Sequence, residues 1–365
     1  MRNLAIIGAS YLQLPLINKA KEMGYETHVF AWAANDVGEL AADHFYPVSI
    51  VNYDEILDKC REIGICGICS IASDLAAVTV SYVASKLGLP GNSMDCTRRS
   101  TNKHLMRETF RANGDPSPQS MEVDVQTDLS RLELKYPVIV KPTDRSGSRG
   151  ICKLDSPEGL KEAVCAALAE SFEKKALIEE FAEGEEYSVE GLSYHGRHHI
   201  LAVTKKYTTG APHFVETGHR EPALLDPEME KEVRRVVSHA LDSLKITDSA
   251  SHSEIKIDGQ GNIRIIEIGG RMGGDCIGSH LVKYSTGIDF VRAVIQVACG
   301  VEPDLTPVSD PMAAEVRFLF TEKDIRQMEQ DRAAGRLLEQ VAFFPENLGK
   351  TTDSSNRAGC YIIRI

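Results

Sequence analysis

Over the first ninety residues, short apolar runs alternate with stretches whose apolar positions recur every three or four residues. "NLAIIGA" (3–9) reads as a strand and "YLQLPLINKAKEMG" (11–24) as a helix ended by Gly24. "ETHVFAW" is a second strand, "YDEILDKCREIG" a helix, "ICGICSIA" a third strand and "DLAAVTVSYVASKLG" a helix. Such alternation implies a parallel sheet with helices on both faces. "LPGNS" (89–93) breaks the pattern.

From Thr101 the texture changes. "TNKHLMRETFRANGDPSP" predicts a helix and a turn rich in Gly, Asp and Pro. An apolar strand then ends in a cation and a loop, "YPVIVKPTDRSGSRG" (136–150). The helix "SPEGLKEAVCAALAESF" follows, with Ser156 as its N-cap, and then the strand "ALIEEF". This unit of roughly eighty residues reads as a small separate subdomain. "EYSVEGLSYHGRHHILAVTKKY" predicts a hairpin turning at "HGRH", and "MEKEVRRVVSHALDSLK" an amphipathic helix. "SASHSEIKIDGQGNIRIIEIGGR" predicts a second hairpin with "DGQGN" as its turn.

Composition narrows the function classes. The 365 residues can form two or three domains, and the formal net charge of −12 argues against a general binder of nucleic acid or anionic membranes. No apolar stretch approaches the roughly 20 residues needed to span a bilayer, and the apolar run at the N-terminus is too short for a signal-peptide core. Nine scattered cysteines argue against a disulfide framework, so the expected location is cytoplasmic. Cys66 and Cys69 mimic a C-x-x-C motif, but on a strand positions three apart face opposite ways. In the first turn, "GASYLQLP", Ser10 and Gln13 replace the second and third glycines of a dinucleotide fingerprint. The first module is thus Rossmann-like in architecture without an expected NAD site.

The second hairpin carries the chemistry. Glu254 and Glu267 flank its turn, and antiparallel pairing can set the two carboxylates side by side. Such a pair repels unless a cation lies between. Mg2+, or Mn2+ in its place, is the natural cation because it takes oxygen ligands and completes its shell with phosphate and water. The plainer alternative is a solvated surface pair, which the apolar neighbours in "RIIEIGG" disfavour.

Lys103, Lys141, the glycine-bearing loop, the acidic strand end "IEEF" and the Glu254/Glu267 pair occur in the order of the ATP-grasp superfamily. The chain resembles that superfamily over residues 1 to about 300, with most similarity to the L-amino acid ligase and biotin carboxylase-like branches. The resemblance implies a mixed α/β and α+β chain of several subdomains. They are a Rossmann-like parallel sheet (1–95), a small lid subdomain (96–182), a larger antiparallel subdomain with the metal site (183–300) and a C-terminal subdomain (301–365). Lys103 and Lys141 would meet ATP phosphates as compact charges. The amides of Ser146, Gly147, Ser148 and Gly150 would cover them. Glu179, Glu180, Phe181 and Ala182 match the hinge that reads adenine, and Glu186 the position that binds the ribose. Glu254 and Glu267 would hold magnesium, and Arg271 would stabilise the acyl phosphate or substrate carboxylate. Many members carry Asn two residues after the second metal glutamate, where this chain has Gly269, so a second metal ion is in doubt. "GAPHFVETGHREPALLD" (210–226) resembles the substrate loop of the L-amino acid ligases, giving Glu216 and His219 roles in amine or carboxylate recognition.

The expected activity is ADP-forming ligation of a carboxylate to an amine through an acyl phosphate, on amino-acid substrates. The alternatives are a carboxylating ligase using bicarbonate and a silent nucleotide-binding module. The expected partners are small-molecule carboxylates and amines and a second copy of the chain. "SSNRAGCYIIRI" (354–365) resembles the strand near the end of these ligases' last subdomain, without a closing helix.

Overall fold

The computed structural model describes residues 2–145, 147, 149–210 and 214–365, with Ser355 described by its backbone alone. The alternation at the start folds as β1 (Arg2–Ile7), α1 (Leu14–Glu22), β2 (Tyr25–Phe30), α2 (Val37–Ala41), β3 (His44–Tyr46), α3 (Tyr53–Ile63), β4 (Gly67–Cys69) and α4 (Asp74–Leu87). The four strands form a parallel sheet in the order β3-β2-β1-β4. The pair α2 and β3 lies in a stretch with little apolar periodicity, and the sequence pattern gives no sign of it. Beyond "LPGNS" comes α5 (Met94–Thr101), also unforeseen, capped by Ser93 and separated from α6 (Lys103–Asn113) only by Asn102. Asn102 caps α6 with its own side chain, and this sharp junction sets Lys103 on the first helical turn.

The small sheet contains β5 (Ser120–Val123), β6 (Val138–Pro142), β7 (Cys152–Leu154) and β8 (Ala176–Glu180), ordered β5-β8-β6-β7. Helix α7 (Leu160–Glu170) covers it, burying Leu160, Val164 and Ala167 against Val138, Val140 and Ile178. Ser156 does not cap this helix. Its N-cap is Gly159, with φ +82, because the chain turns once more before helical pairing starts.

The large sheet holds β9 (Glu185–Tyr194), β10 (Arg197–Thr208), β11 (Glu216–Glu221), β12 (Ser249–Ile257), β13 (Ile263–Gly269), β14 (Ala314–Leu319), β15 (Leu337–Phe343) and β16 (Gly359–Arg364). Its order is β13-β12-β9-β10-β11-β14-β16-β15, antiparallel throughout. Both expected hairpins form within it. Residues 216–221, expected in a loop, instead pair on both edges as β11, so their side chains are fixed by strand geometry. The chain after residue 301 extends the same sheet through β14–β16.

Helix α8 (Pro227–Leu244) lays Val233, Val237, Leu241 and Leu244 on Ile255, Ile265 and Ile268 of this sheet. The short α9 (Val282–Thr286) leads to α10 (Phe290–Ala298), which packs against α1 and β4, so a late helix closes the core of the first sheet. Helix α11 (Glu322–Ala333) crosses β14 and β15. Among the described residues no helix is long and apolar enough to cross a membrane.

Gly184 joins the small sheet to the large one with φ +111, and a Cβ there would lie 2.3 Å from the Ile257 carbonyl oxygen. Gly184→Ala is expected to destabilise the chain by about 2 kcal/mol or more, from backbone strain and collision with a strand that cannot retreat. Urea unfolding measures this, and an unchanged midpoint would mean that the joint tolerates a side chain.

Candidate functional site

Strands β12 and β13 bring Glu254 directly opposite Glu267. Two lysines from elsewhere answer the two charges. Lys206 on β10 places Nζ 2.6 Å from Glu254 Oε1 and 3.0 Å from Glu186 Oε1, with Glu216 Oε1 at 3.9 Å. Lys103 donates to Glu267 Oε1 at 2.8 Å and to the Arg145 carbonyl at 2.7 Å, tying the sheet to the loop after β6. Burial works against both lysine charges. The surrounding carboxylates outweigh it, and both ammonium groups are held more firmly than an ordinary lysine's. Burial likewise opposes the Glu254 carboxylate, yet Lys206 and His252 keep it well below the usual range.

A second buried cluster stands beside it. Glu179 accepts from Lys141 through Oε1 and from Arg107 through Oε2, the latter at 3.2 Å. Burial and the neighbouring Arg107 and Lys103 charges push Lys141 below an ordinary lysine, against the pull of Glu179. All three side chains are at most 5% exposed.

Between the small and large sheets lies a cleft of about 640 Å³. Lys141, Glu179, Glu180, Phe181, Ala182, Glu186, Glu216 and Glu254 all line it. Ile139, Ile151, Ile266 and Phe214 supply apolar walls, a composition suited to a flat, largely apolar ring with a polar edge. Lys256 reaches across, donating to the Ala182 carbonyl at 3.2 Å over the Phe181 ring. Lys103 and Glu267 face an adjoining cavity of about 860 Å³, which Arg98, Arg145 and Arg149 also line. Gly147 and Gly150 take φ +74 and +65, while Ser146 and Ser148 lie outside the described residues.

Each Oε1 of the glutamate pair is occupied by a lysine, and among the described residues no donor reaches either Oε2. Two carboxylate oxygens beside a cleft therefore fit a hard dication that takes its remaining ligands from phosphate and water. Gly269 adds no ligand. A Cβ there would lie 3.2 Å from Asp74 Oδ1 and 3.3 Å from Arg271 Cζ, so an asparagine would require the Asp74–Arg271 pair to give way by a few tenths of an ångström.

Arg271 is bound bidentately to Asp74, with Nε to Oδ1 at 2.8 Å and Nη2 to Oδ2 at 3.1 Å, which joins β13's end to the start of α4. His219 is fully buried on β11, edge-on to Phe318, with Nε2 3.5 Å from Asp275 Oδ2. Neither of its ring nitrogens makes a hydrogen bond, and it lies outside both cavities. Sequence reasoning passed over Lys206, Lys256, Asp74 and the Asp275–Arg357 pair. Lys206 carried no local signal, because its partners Glu186, Glu216 and Glu254 come from other strands.

A family model described as "ATP-grasp domain" matches residues 134–279, which span the small sheet, the cleft and the glutamate pair. Over those residues the chain is similar to an ATP-grasp domain. It is 26% identical over 258 residues to alanine–anticapsin ligase of Bacillus subtilis strain 168, covering 64% of this chain and 54% of that protein. The chain thus spans about half the length of the first curated relatives it matches. Among solved structures, L-amino acid ligase from Bacillus licheniformis superposes with a TM-score of 0.84 at 23% identity, over 100% of this chain and 93% of that one. N5-carboxyaminoimidazole synthetase from Staphylococcus aureus, complexed with ADP, gives 0.80 at 16% over 100% and 93%. At such identities the structural likeness speaks for the ATP-grasp fold alone.

The strand bearing Glu216 and His219 ends in a buried acid. Burial raises the Glu221 carboxyl to about 8, although Ser285 and Thr204 donate to it. The folded chain then keeps a proton that the unfolded chain releases above its ordinary value of 4.5. Stability falls as pH rises between these values, by at most about 1.4 kcal/mol per pH unit. Glu221→Gln mimics the neutral acid, so it is expected to match the parent near pH 4.5 and exceed it in stability at pH 8. Denaturant midpoints across that range test this, and parallel profiles for the two proteins would show that Glu221 is ionised when folded.

Proposed function

We propose that this chain is an ATP-dependent carboxylate–amine ligase, ADP-forming, with amino acids as substrates. One observation carries the reading: the cleft beside Phe181 and Ala182 and the cavity of Lys103 and Arg145 meet at the opposed Glu254/Glu267 pair. A nucleotide lying in the cleft would put its terminal phosphates at that junction. The likeness to alanine–anticapsin ligase supports amide formation, and the ADP complex of the fold relative supports a nucleotide in the cleft.

In this reading Phe181, Phe214 and the isoleucines hold the adenine, and Glu186 takes the ribose hydroxyls. Lys141, Lys103 and the backbone around Gly147 and Gly150 receive the phosphates. Glu254 and Glu267 would hold magnesium, which neutralises charge on the transferring phosphoryl group. The substrate carboxylate attacks the γ-phosphorus, ADP leaves, and the amine then displaces phosphate from the acyl phosphate. Arg271, positioned by Asp74, stabilises charge on the acyl group. Glu216 lines the cleft and is suited to the substrate amine. His219, buried one residue beyond Gly218 on the same strand, does not line the cleft and takes no direct part in this reading.

The division at residues 95, 182 and 300, a homodimer and a cytoplasmic location belong to the same proposal.

The test is ADP release from ATP over a panel of amino-acid pairs, with mass analysis of products. Ligation is expected with some pair, and Glu267→Gln should lower turnover at least 100-fold, roughly 3 kcal/mol in barrier, with an unchanged fold. Turnover of Glu267→Gln within about threefold of the parent would sink the metal assignment. Carboxylation of an amine with bicarbonate, or ATP binding without turnover on any substrate, would replace the ligase reading.

A further inference from the structure

Far from the cleft, at the edge of the first sheet, three side chains converge that the ligase reading does not use. Glu26 and His28 are two residues apart on β2 and so share one face of the sheet. His44 on β3 is the direct strand partner of His28, and its Nε2 lies 2.6 Å from Glu26 Oε1. One ligand atom from each residue falls within 4.8 Å of the other two. We propose that Glu26, His28 and His44 bind a transition-metal dication of the zinc class.

A second observation points the same way. His28 is only 6% exposed, and its Nε2 is buried without a hydrogen-bond partner among the described residues. An orphaned ring nitrogen is costly in a folded chain and asks for a ligand. Its other nitrogen, Nδ1, lies 3.0 Å from the Tyr46 hydroxyl. When Nδ1–H donates to that oxygen, Nε2 presents a bare lone pair, the arrangement that orients metal-binding histidines generally.

Two nitrogens and one carboxylate oxygen, with water in the fourth place, form a donor set that suits zinc. Tetrahedral bonds of about 2.0–2.1 Å put ligand atoms roughly 3.3 Å apart, so the 2.6 Å Glu26–His44 pair must open, giving up its shared proton, while the wider separations contract. The two imidazoles stack with centroids 4.7 Å apart, and His44 has to turn its ring for both nitrogens to converge. With its side chain 46% exposed, His44 is free to do so. Asp43 is not the fourth ligand, because Thr27 and Lys21 already engage its carboxylate. The ion would pin the three-residue edge strand β3 to β2.

Titration of the whole chain with Co2+ in excess Mg2+ tests the site, because Mg2+ saturates oxygen-only sites and leaves nitrogen sites to the softer ion. One equivalent is expected, with the visible absorption of tetrahedral nitrogen ligation, displaced by Zn2+ and accompanied by a higher melting temperature. His44→Ala, at an exposed position, should abolish both the absorption and the stabilisation. Tyr46→Phe should weaken affinity by roughly 10- to 100-fold. Failure of the parent chain to bind Co2+ or Zn2+, or undiminished binding by His44→Ala, would overturn the assignment. Neither result depends on ligase activity.

Discussion

Everything around the cleft depends on keeping two glutamates face to face on adjacent strands. Glu254 and Glu267 share a cross-strand position, where like charges destabilise a sheet. The chain solves this with lysines from two other elements, Lys206 from β10 and Lys103 from the first turn of α6. Each lysine is at most 5% exposed, so its charge is worth far more to the carboxylate than a surface lysine's would be. The position of α6 is therefore set by electrostatics as well as by the packing of Met106 and Phe110.

The same device joins the layers. Arg271 and Asp74 tie the large sheet to the first helix beyond β4, and Arg107 and Lys141 share Glu179 between α6 and the small sheet. One apolar cluster runs from Leu4 and Ile6 of the first sheet to Leu192, Leu201 and Ala250 of the large one and another fills the small sheet, while buried ion pairs make the links at the cleft. Ion pairs are directional and apolar contacts are not, so this division fixes the geometry of the seams where a nucleotide would lie. Lys103 adds a link to the loop after β6 through the Arg145 carbonyl. A group that competes for the Lys103 ammonium would therefore act on Glu267 and on that loop together.

Much of this could be read from the residues, for identifiable reasons. The turn "DGQGN" and the apolar alternation specify a hairpin, but the turn's own register would set Glu254 opposite Ile266, and a bulge between Glu254 and Ile255 shifts the pairing by one to bring Glu267 opposite. The parallel first sheet followed from alternating periods. What was missed depended on tertiary partners. Lys206 looks like any strand-end lysine until Glu186, Glu216 and Glu254 surround it. His219 sits between Gly218 and Pro222, which suggests a turn, yet pairing with β10 and β14 overrides that local signal. Helix α5 is short and polar, and only its Ser93 cap marks it. Gly269 was legible as a departure from the ATP-grasp pattern, but the Asp74–Arg271 pair beside it depends on Asp74, 195 residues away in the chain.

The charge network also dictates which substitutions can be informative. Removing one partner of a buried pair leaves the other uncompensated, at a cost of about 3–5 kcal/mol, a large share of a domain's stability. Lys206→Ala would strand Glu254, Glu186 and Glu216 together, so loss of activity there would not separate chemistry from unfolding. Glu267 differs, being 24% exposed, with Lys103 retaining the Arg145 carbonyl and the coulombic pull of Asp74 and Glu254. A glutamine at 267 keeps the shape and an acceptor oxygen while deleting one charge. Lys103 loses its nearest carboxylate charge in that variant, so folded stability has to be measured beside turnover to separate the two effects.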